Sequence, residues 1–271
     1  MSMYLDFGLF KIPAYGTMIA TGVIVANIIV ILLILLRDHK DIWDFVILEG
    51  FGLLGGIIGS KLLYIIVSFD DIPWDRIGEP EVLATLIGGG FVFYGGLILA
   101  VIMVFIGAHF NKIDAWDYLS NYAFAIPLAH GFGRIGCFLA GCCYGVPYHG
   151  PLAVVFPESS IIAPPGIELF PVQIVEACCL FVISIILFLF YWFRKTNYLL
   201  PMYFILYGIV RFVLEYYRFD EYRGKFLSLY TSQWISIGMI AFGIGWIIYF
   251  VVKKYKKEPD ENKPEENDSE E

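Results

Sequence analysis

"HGFGRIGCFLAGCCYG", His130 to Gly145, decides how the rest of the chain is read. It spells G-x-G-x-x-G at Gly131, Gly133 and Gly136, the spacing with which a soluble dinucleotide-binding fold cradles a pyrophosphate. That use needs a strand before the glycines, a helix opening on them and an acidic residue on a second strand. Here the glycines follow "AFAIPLAH" inside an apolar run, and no β-α-β pattern surrounds them. The remaining reading is a transmembrane helix thinned by glycine, so that its backbone and Arg134 can approach a bulky ligand.

Composition agrees. Of 271 residues 59% are hydrophobic and 16% charged, with a mean hydropathy of +0.72; a soluble domain carries about 45–50% apolar and about 25% charged residues. Seven apolar stretches are visible, near 14–36, 43–67, 91–110, 115–145, 173–193, 202–217 and 234–252. They are long and unbroken rather than alternating, which predicts an all-α integral membrane protein and not a barrel. The fourth is too long for one straight crossing and contains Pro127 and several glycines, so a kink or break is expected there.

Lysine and arginine set the orientation. With the N-terminus outside, the inner segments hold Arg37, Lys40, Lys112, Arg194, Lys195, Lys253, Lys254, Lys256 and Lys257. The outer ones hold Lys11, Arg76, Arg218, Arg223 and Lys225, and nine against five favours N-out, C-in. The long connections 68–90 and 146–170 then face outward. Residues 1–257 read as one membrane domain, and 258–271 as an acidic disordered cytoplasmic tail that carries most of the net charge of −8. No basic face exists for a nucleic acid. The N-terminus lacks a basic n-region and a cleavage site, so the first span is expected to be retained.

Six ionisable residues fall inside the spans: Glu49, Lys61, Arg134, Glu176, Arg211 and Glu215. Charge in hydrocarbon costs several kcal/mol unless it meets a partner or a polar cavity. Mutual pairing is the simplest explanation, and it suffices for Glu49 and Lys61. In "RFVLEYYRFD", however, Arg211, Glu215 and Arg218 fall at i, i+4 and i+7 on one helical face. Two guanidiniums around one carboxylate leave donors to spare, and that fork suits phosphate oxygens.

Several motifs, in order along nearly the whole chain, resemble the prolipoprotein diacylglyceryl transferase family. They are "PAYGTM" around Tyr15, "GSKLLY" with Lys61, "FVFYGGL" with Tyr94, Gly95 and Gly96, "GRIGCFLAGCCYG", "FPVQIVEA" with Gln173 and Glu176, and "RFVLEYYR". The resemblance implies a bacterial inner-membrane enzyme. Such an enzyme moves diacylglycerol from phosphatidylglycerol to the lipobox cysteine thiol in the signal peptide of a preprolipoprotein, forming a thioether and releasing glycerol phosphate. Its partners would be these two substrates and membrane lipids, with no cofactor and no metal. It further implies that Arg134 and Arg211 bind or polarise the phosphate and that Glu215 orients Arg211. Tyr94 would complete the catalytic group. Tyr15, Lys61, Gly95, Gly96, Gly133, Gly136, Cys137, Cys142, Gln173, Glu176 and Arg218 would shape the substrate site.

The chain departs from the family at Tyr94, which stands where a histidine is usual, and at Cys137, Ala140 and Cys142, which replace two asparagines and an acid. Phe170, Val172 and Val175 replace a histidine, a serine and a tyrosine. Two alternatives therefore stay open: the same scaffold with another acceptor or thiol chemistry, and a non-enzymatic lipid-binding protein or transporter. Cys137, Cys142 and Cys143 could carry an intermediate, bind metal or form a disulfide. Packing ranks ahead of these, because cysteine is a small buriable residue and no C-x-x-C pair or companion histidine is evident. Cys178 and Cys179 read as core. His130 could supply a base or serve as a hydrogen-bonded structural residue.

Overall fold

The computed structural model describes residues 4–6, 11–158, 160, 162–194, 198–219 and 224–261. Lys195, Arg223 and the tail from 262 onward, with Lys263, lie outside them. Nine α-helices are described. They are α1 (Ala14–Leu33, continued by a π-turn at Ile34–Asp38), α2 (Ile42–Val67), α3 (Pro80–Gly88), α4 (Phe93–Asn111), α5 (Ala115–Asn121), α6 (Ala125–Ala140), α7 (Val172–Arg194), α8 (Leu199–Leu214) and α9 (Thr231–Glu261). Short antiparallel pairs join β1 (Tyr4–Asp6) to β2 (Lys11–Pro13), β3 (Val154–Val155) to β4 (Glu168–Leu169), and β5 (Lys225–Phe226) to β6 (Leu229–Tyr230).

Six of the helices are long and apolar enough to cross a membrane, and α5 with α6, bent by 60°, makes up to seven spans. Large aliphatic and aromatic residues cover the outside: Leu36, Ile57, Phe110 and Phe193 are all well over half exposed, while Gln173, Glu176, Arg211, Glu215 and Arg218 are buried. This inversion of the soluble pattern is stable only where hydrocarbon is the solvent. The protein is an all-α integral membrane protein.

The fourth stretch is broken, as its composition predicts, but upstream of Pro127. The turn at 122–124 separates α5 from α6, and Pro127 then sits in the first turn of α6, where a backbone N–H has no intrahelical partner to lose. The same stretch also ends earlier than expected. Gly141, at φ 68°, returns its N–H to Cys137 and Phe138 and caps α6 after Ala140, so 141–145 is loop and not helix. At the C-terminus α9 continues through Glu261, beyond the expected tail boundary at Lys257.

Contacts divide the chain into two compact units, Met1–Val30 with Ser120–Glu271, and Ile31–Leu119. In the second unit α2 and α4 touch along glycine. A Cβ on Gly59 would collide with the Gly95 carbonyl, one on Gly55 would come within 2.6 Å of the Leu99 carbonyl, and one on Gly96 within 2.8 Å of the Gly56 carbonyl. The lack of side chains at Gly95 and Gly96 is thus already used by helix packing. Lys61 donates to the carbonyls of Leu86 and Gly89, which closes the end of α3, and its ammonium lies 4.3 Å from the Phe91 ring centroid. The Lys40–Asp117 pair and the Tyr118 hydroxyl, which donates to the Asp41 carbonyl at 2.9 Å, tie the start of α2 to α5.

In the first unit α6 packs on α1 and α7. A Cβ on Gly22 would meet Phe132 and the Ala129 carbonyl, and one on Gly131 would meet the Phe181 ring. The connection from α6 to α7 is a small packed cap rather than a free loop. Phe156, Ala163 and Leu169 form its core, with Phe138, Tyr144 and Val154 against them.

The glycine seam is testable by thermal unfolding in detergent. Gly59→Val should destabilise the chain by about 1–3 kcal/mol, the usual cost of overpacking. Gly56→Ala, whose Cβ meets nothing within 4 Å, should leave the midpoint unchanged or raise it slightly.

Candidate functional site

The first unit brings three helix ends together: the C-terminal end of α6, the first turns of α7 and the C-terminal end of α8. Backbone bonds make the junction. Val146 N–H donates to Tyr217 at 3.0 Å, Phe219 N–H to Tyr144 at 3.2 Å and Phe170 N–H to Val146 at 3.0 Å. This close pairing needs Gly145, since a Cβ there would press on the carbonyls of Phe170 and Tyr217.

Glu176, fully buried on α7, is the hub. Its Oε1 receives Arg134 Nη2 from α6 and the Tyr207 hydroxyl from α8, both at 3.0 Å, and its Oε2 lies 3.7 Å from Arg218 Nη1. Glu215 Oε2 forms an ion pair with Arg211 Nη2 at 2.9 Å and lies 4.0 Å from Arg218 Nε. Three guanidiniums therefore share two carboxylates, and the cluster keeps a surplus of one positive charge. Arg134 Nε, Arg211 Nη1 and Gln173 Oε1 are buried and have no hydrogen-bond partner among the described residues. Such atoms cost about 1–3 kcal/mol each unless a ligand or water meets them. Of these, Arg134 Nε and Arg211 Nη1 are donors and fit the oxygens of a bound anion.

The stripe expected at Arg211, Glu215 and Arg218 is present, with a correction to its backbone. The α-helix ends at Leu214, a 3₁₀ turn covers Glu215–Tyr217, and Arg218 is extended, so it reaches Glu215 from outside the helix rather than along one helical face. Tyr15 is partly exposed on the first turn of α1; a Cβ on Gly136 would come within 3.2 Å of its ring and 3.1 Å of its carbonyl. Gly133 faces only Ile19 at 3.9 Å, which leaves space one residue from Arg134. Gln173 donates from Nε2 to the Cys142 carbonyl at 2.8 Å. Lys61, Tyr94, Gly95 and Gly96 belong to the second unit, and Tyr94 is exposed on the first turn of α4.

Sequence reasoning missed two things. Tyr207 is one; it sits four residues before Arg211 on α8, and that polar-tipped i, i+4 spacing was its signal. His130 packs its ring against Tyr207 at 5.1 Å, one helical turn before Arg134. The other is the gathering of the Cys137, Cys142 and Cys143 sulfurs, all within 4.8 Å of one another.

Comparison with known proteins gives one answer. The family model described as prolipoprotein diacylglyceryl transferase matches residues 2–249. A Clostridium tetani protein named phosphatidylglycerol–prolipoprotein diacylglyceryl transferase is 40% identical over 261 residues, covering 93% of this chain and 97% of its own. A Clostridium perfringens protein of the same name, numbered 2, is 36% identical over 259 residues, covering 92% and 94%. One from Bordetella bronchiseptica is 29% identical over 217 residues, covering 78% of each chain.

Glu176→Ala should lower stability in detergent by about 3–5 kcal/mol, because it leaves Arg134 as a buried cation without its carboxylate. Tyr207→Phe, which removes one hydrogen bond to that carboxylate, should cost about 1 kcal/mol. Denaturant unfolding of the two variants checks the order.

Proposed function

The chain belongs to the prolipoprotein diacylglyceryl transferase family, and from that premise we propose that it transfers diacylglycerol from phosphatidylglycerol to the lipobox cysteine of preprolipoproteins. The observation that carries the proposal is the buried cluster with more guanidinium than carboxylate, whose Arg134 Nε and Arg211 Nη1 have no protein acceptor among the described residues. A phosphodiester headgroup supplies the missing oxygens.

The chemistry follows from the leaving group. The acceptor sulfur forms a bond to the terminal glyceryl carbon as the carbon–oxygen bond to phosphate breaks, and the electron pair departs on glycerol phosphate. Negative charge grows on the phosphate oxygens in this step. Guanidiniums already fixed by Glu176 and Glu215 stabilise that charge without reorganising. Arg134 and Arg211 act on the phosphate directly. Arg218, shared between both carboxylates, holds the two halves of the cluster in register. Tyr15, Gln173 and the open space at Gly133 border the lipid. Within the second unit, Lys61 holds the end of α3.

Orientation fits the same reading. With the N-terminus outside, the end of α6, the start of α7 and the end of α8 all fall on the outer face of the bacterial inner membrane. There a preprolipoprotein signal peptide and the lipid meet.

Arg134→Ala and Arg211→Ala should each lower turnover by about 10²–10³-fold, the range for removing one preorganised donor, with membrane insertion retained. The assay is mass spectrometry of a lipobox peptide incubated with purified protein and phosphatidylglycerol. Full activity in either variant, or no diacylglyceryl adduct with the unaltered chain, refutes the assignment.

A further inference from the structure

Cys137, Cys142 and Cys143 are the one group of histidine, cysteine and carboxylate side chains among the described residues whose ligand atoms converge as a metal site requires. The convergence is built by the backbone. Cys137 lies in the last turn of α6, Gly141 takes φ 68°, the Cys142 N–H returns to the Cys137 carbonyl at 3.0 Å, and Cys143 itself sits at φ 57°. A left-handed conformation costs a non-glycine residue about 1–2 kcal/mol, and here it turns a third thiol toward the other two. Zinc–sulfur bonds of about 2.3 Å around a tetrahedral ion put sulfurs about 3.8 Å apart, inside the present spacing.

The surroundings point to a ligand independently. Gln173 is 1% exposed, holds the Cys142 carbonyl through Nε2, and leaves its buried Oε1 without a partner among the described residues. Cys137 is buried, while Cys142 and Cys143 are half-buried.

We propose that Cys137, Cys142 and Cys143 bind one zinc ion whose fourth coordination position takes the acceptor thiol. Three protein ligands with a fourth position free is the pattern of a reactive rather than a structural zinc site, and soft thiolate donors suit zinc. The inference rests on the transferase reading. Binding zinc displaces the three cysteine protons to solvent, and the acceptor thiol likewise releases its own proton to solvent on taking the fourth position. Its sulfur then forms the carbon–sulfur bond as the carbon–oxygen bond breaks onto phosphate, and zinc changes neither oxidation state nor owner.

The full-length protein, purified in detergent, is loaded with zinc alone and dialysed before elemental analysis. The expected result is one zinc per chain. The joint Cys137→Ser, Cys142→Ser and Cys143→Ser variant should hold none, and joint Cys178→Ser and Cys179→Ser should retain it. Cys143→Ser alone, the mildest change, should weaken zinc binding at least tenfold. Cobalt-loaded protein should gain sulfur-to-cobalt charge-transfer absorption when a cysteine lipobox peptide is added, and none with the serine peptide. Zinc held equally by the serine variants overturns the proposal, as does a disulfide within the trio or a cobalt spectrum indifferent to the cysteine peptide. Full transfer by metal-free protein does so too. Neither metal readout uses phosphatidylglycerol, so intact zinc and peptide responses without transfer would sink the transferase reading and leave the metal site standing.

Discussion

The structure depends on keeping five charges dissolved among apolar helices. Arg134, Glu176, Arg211, Glu215 and Arg218 come from three different helix ends, and each is tolerable only while the others are in place. The cluster therefore fixes how α6, α7 and α8 meet. It also leaves Arg134 Nε and Arg211 Nη1 without an acceptor among the described residues. Stability and the proposed anion binding thus draw on the same side chains. The glutamates that make burial bearable also hold the guanidiniums rigid enough to act on a phosphate.

The two units solve the packing problem differently. The second brings backbone onto backbone along the Gly55–Gly59 and Gly95–Gly96 seam, where van der Waals contact replaces any hydrophobic gain in lipid. The first uses polar fixings as well: the Ser184 hydroxyl donates to the Phe124 carbonyl at 2.8 Å, where the turn between α5 and α6 interrupts the helical ladder. A broken helix at membrane depth needs such a substitute partner.

What the sequence makes legible follows from range. Apolar runs are local, and the ends of α2, α4 and α7 fall within a few residues of where hydropathy puts them. The Arg211–Glu215 pair is also local, being one helical turn apart. The role of Glu176 as hub is not legible, because Arg134, Tyr207 and Arg218 meet it only through tertiary packing. The cysteines are hidden for a different reason. Their approach is set by left-handed backbone at Gly141 and Cys143, and a non-glycine residue carries no sign in its identity that it will adopt that conformation.

The bent pair α5–α6 has a consequence for how the protein is made. Neither piece alone is the uniformly greasy rod that a translocon releases readily into lipid, and α6 carries Arg134 into the bilayer before its counter-ion has been synthesised. Glu176 arrives only with the next span. Lateral release of α6 therefore has to wait for α7, and the two enter lipid as a hairpin that brings Arg134 to Glu176.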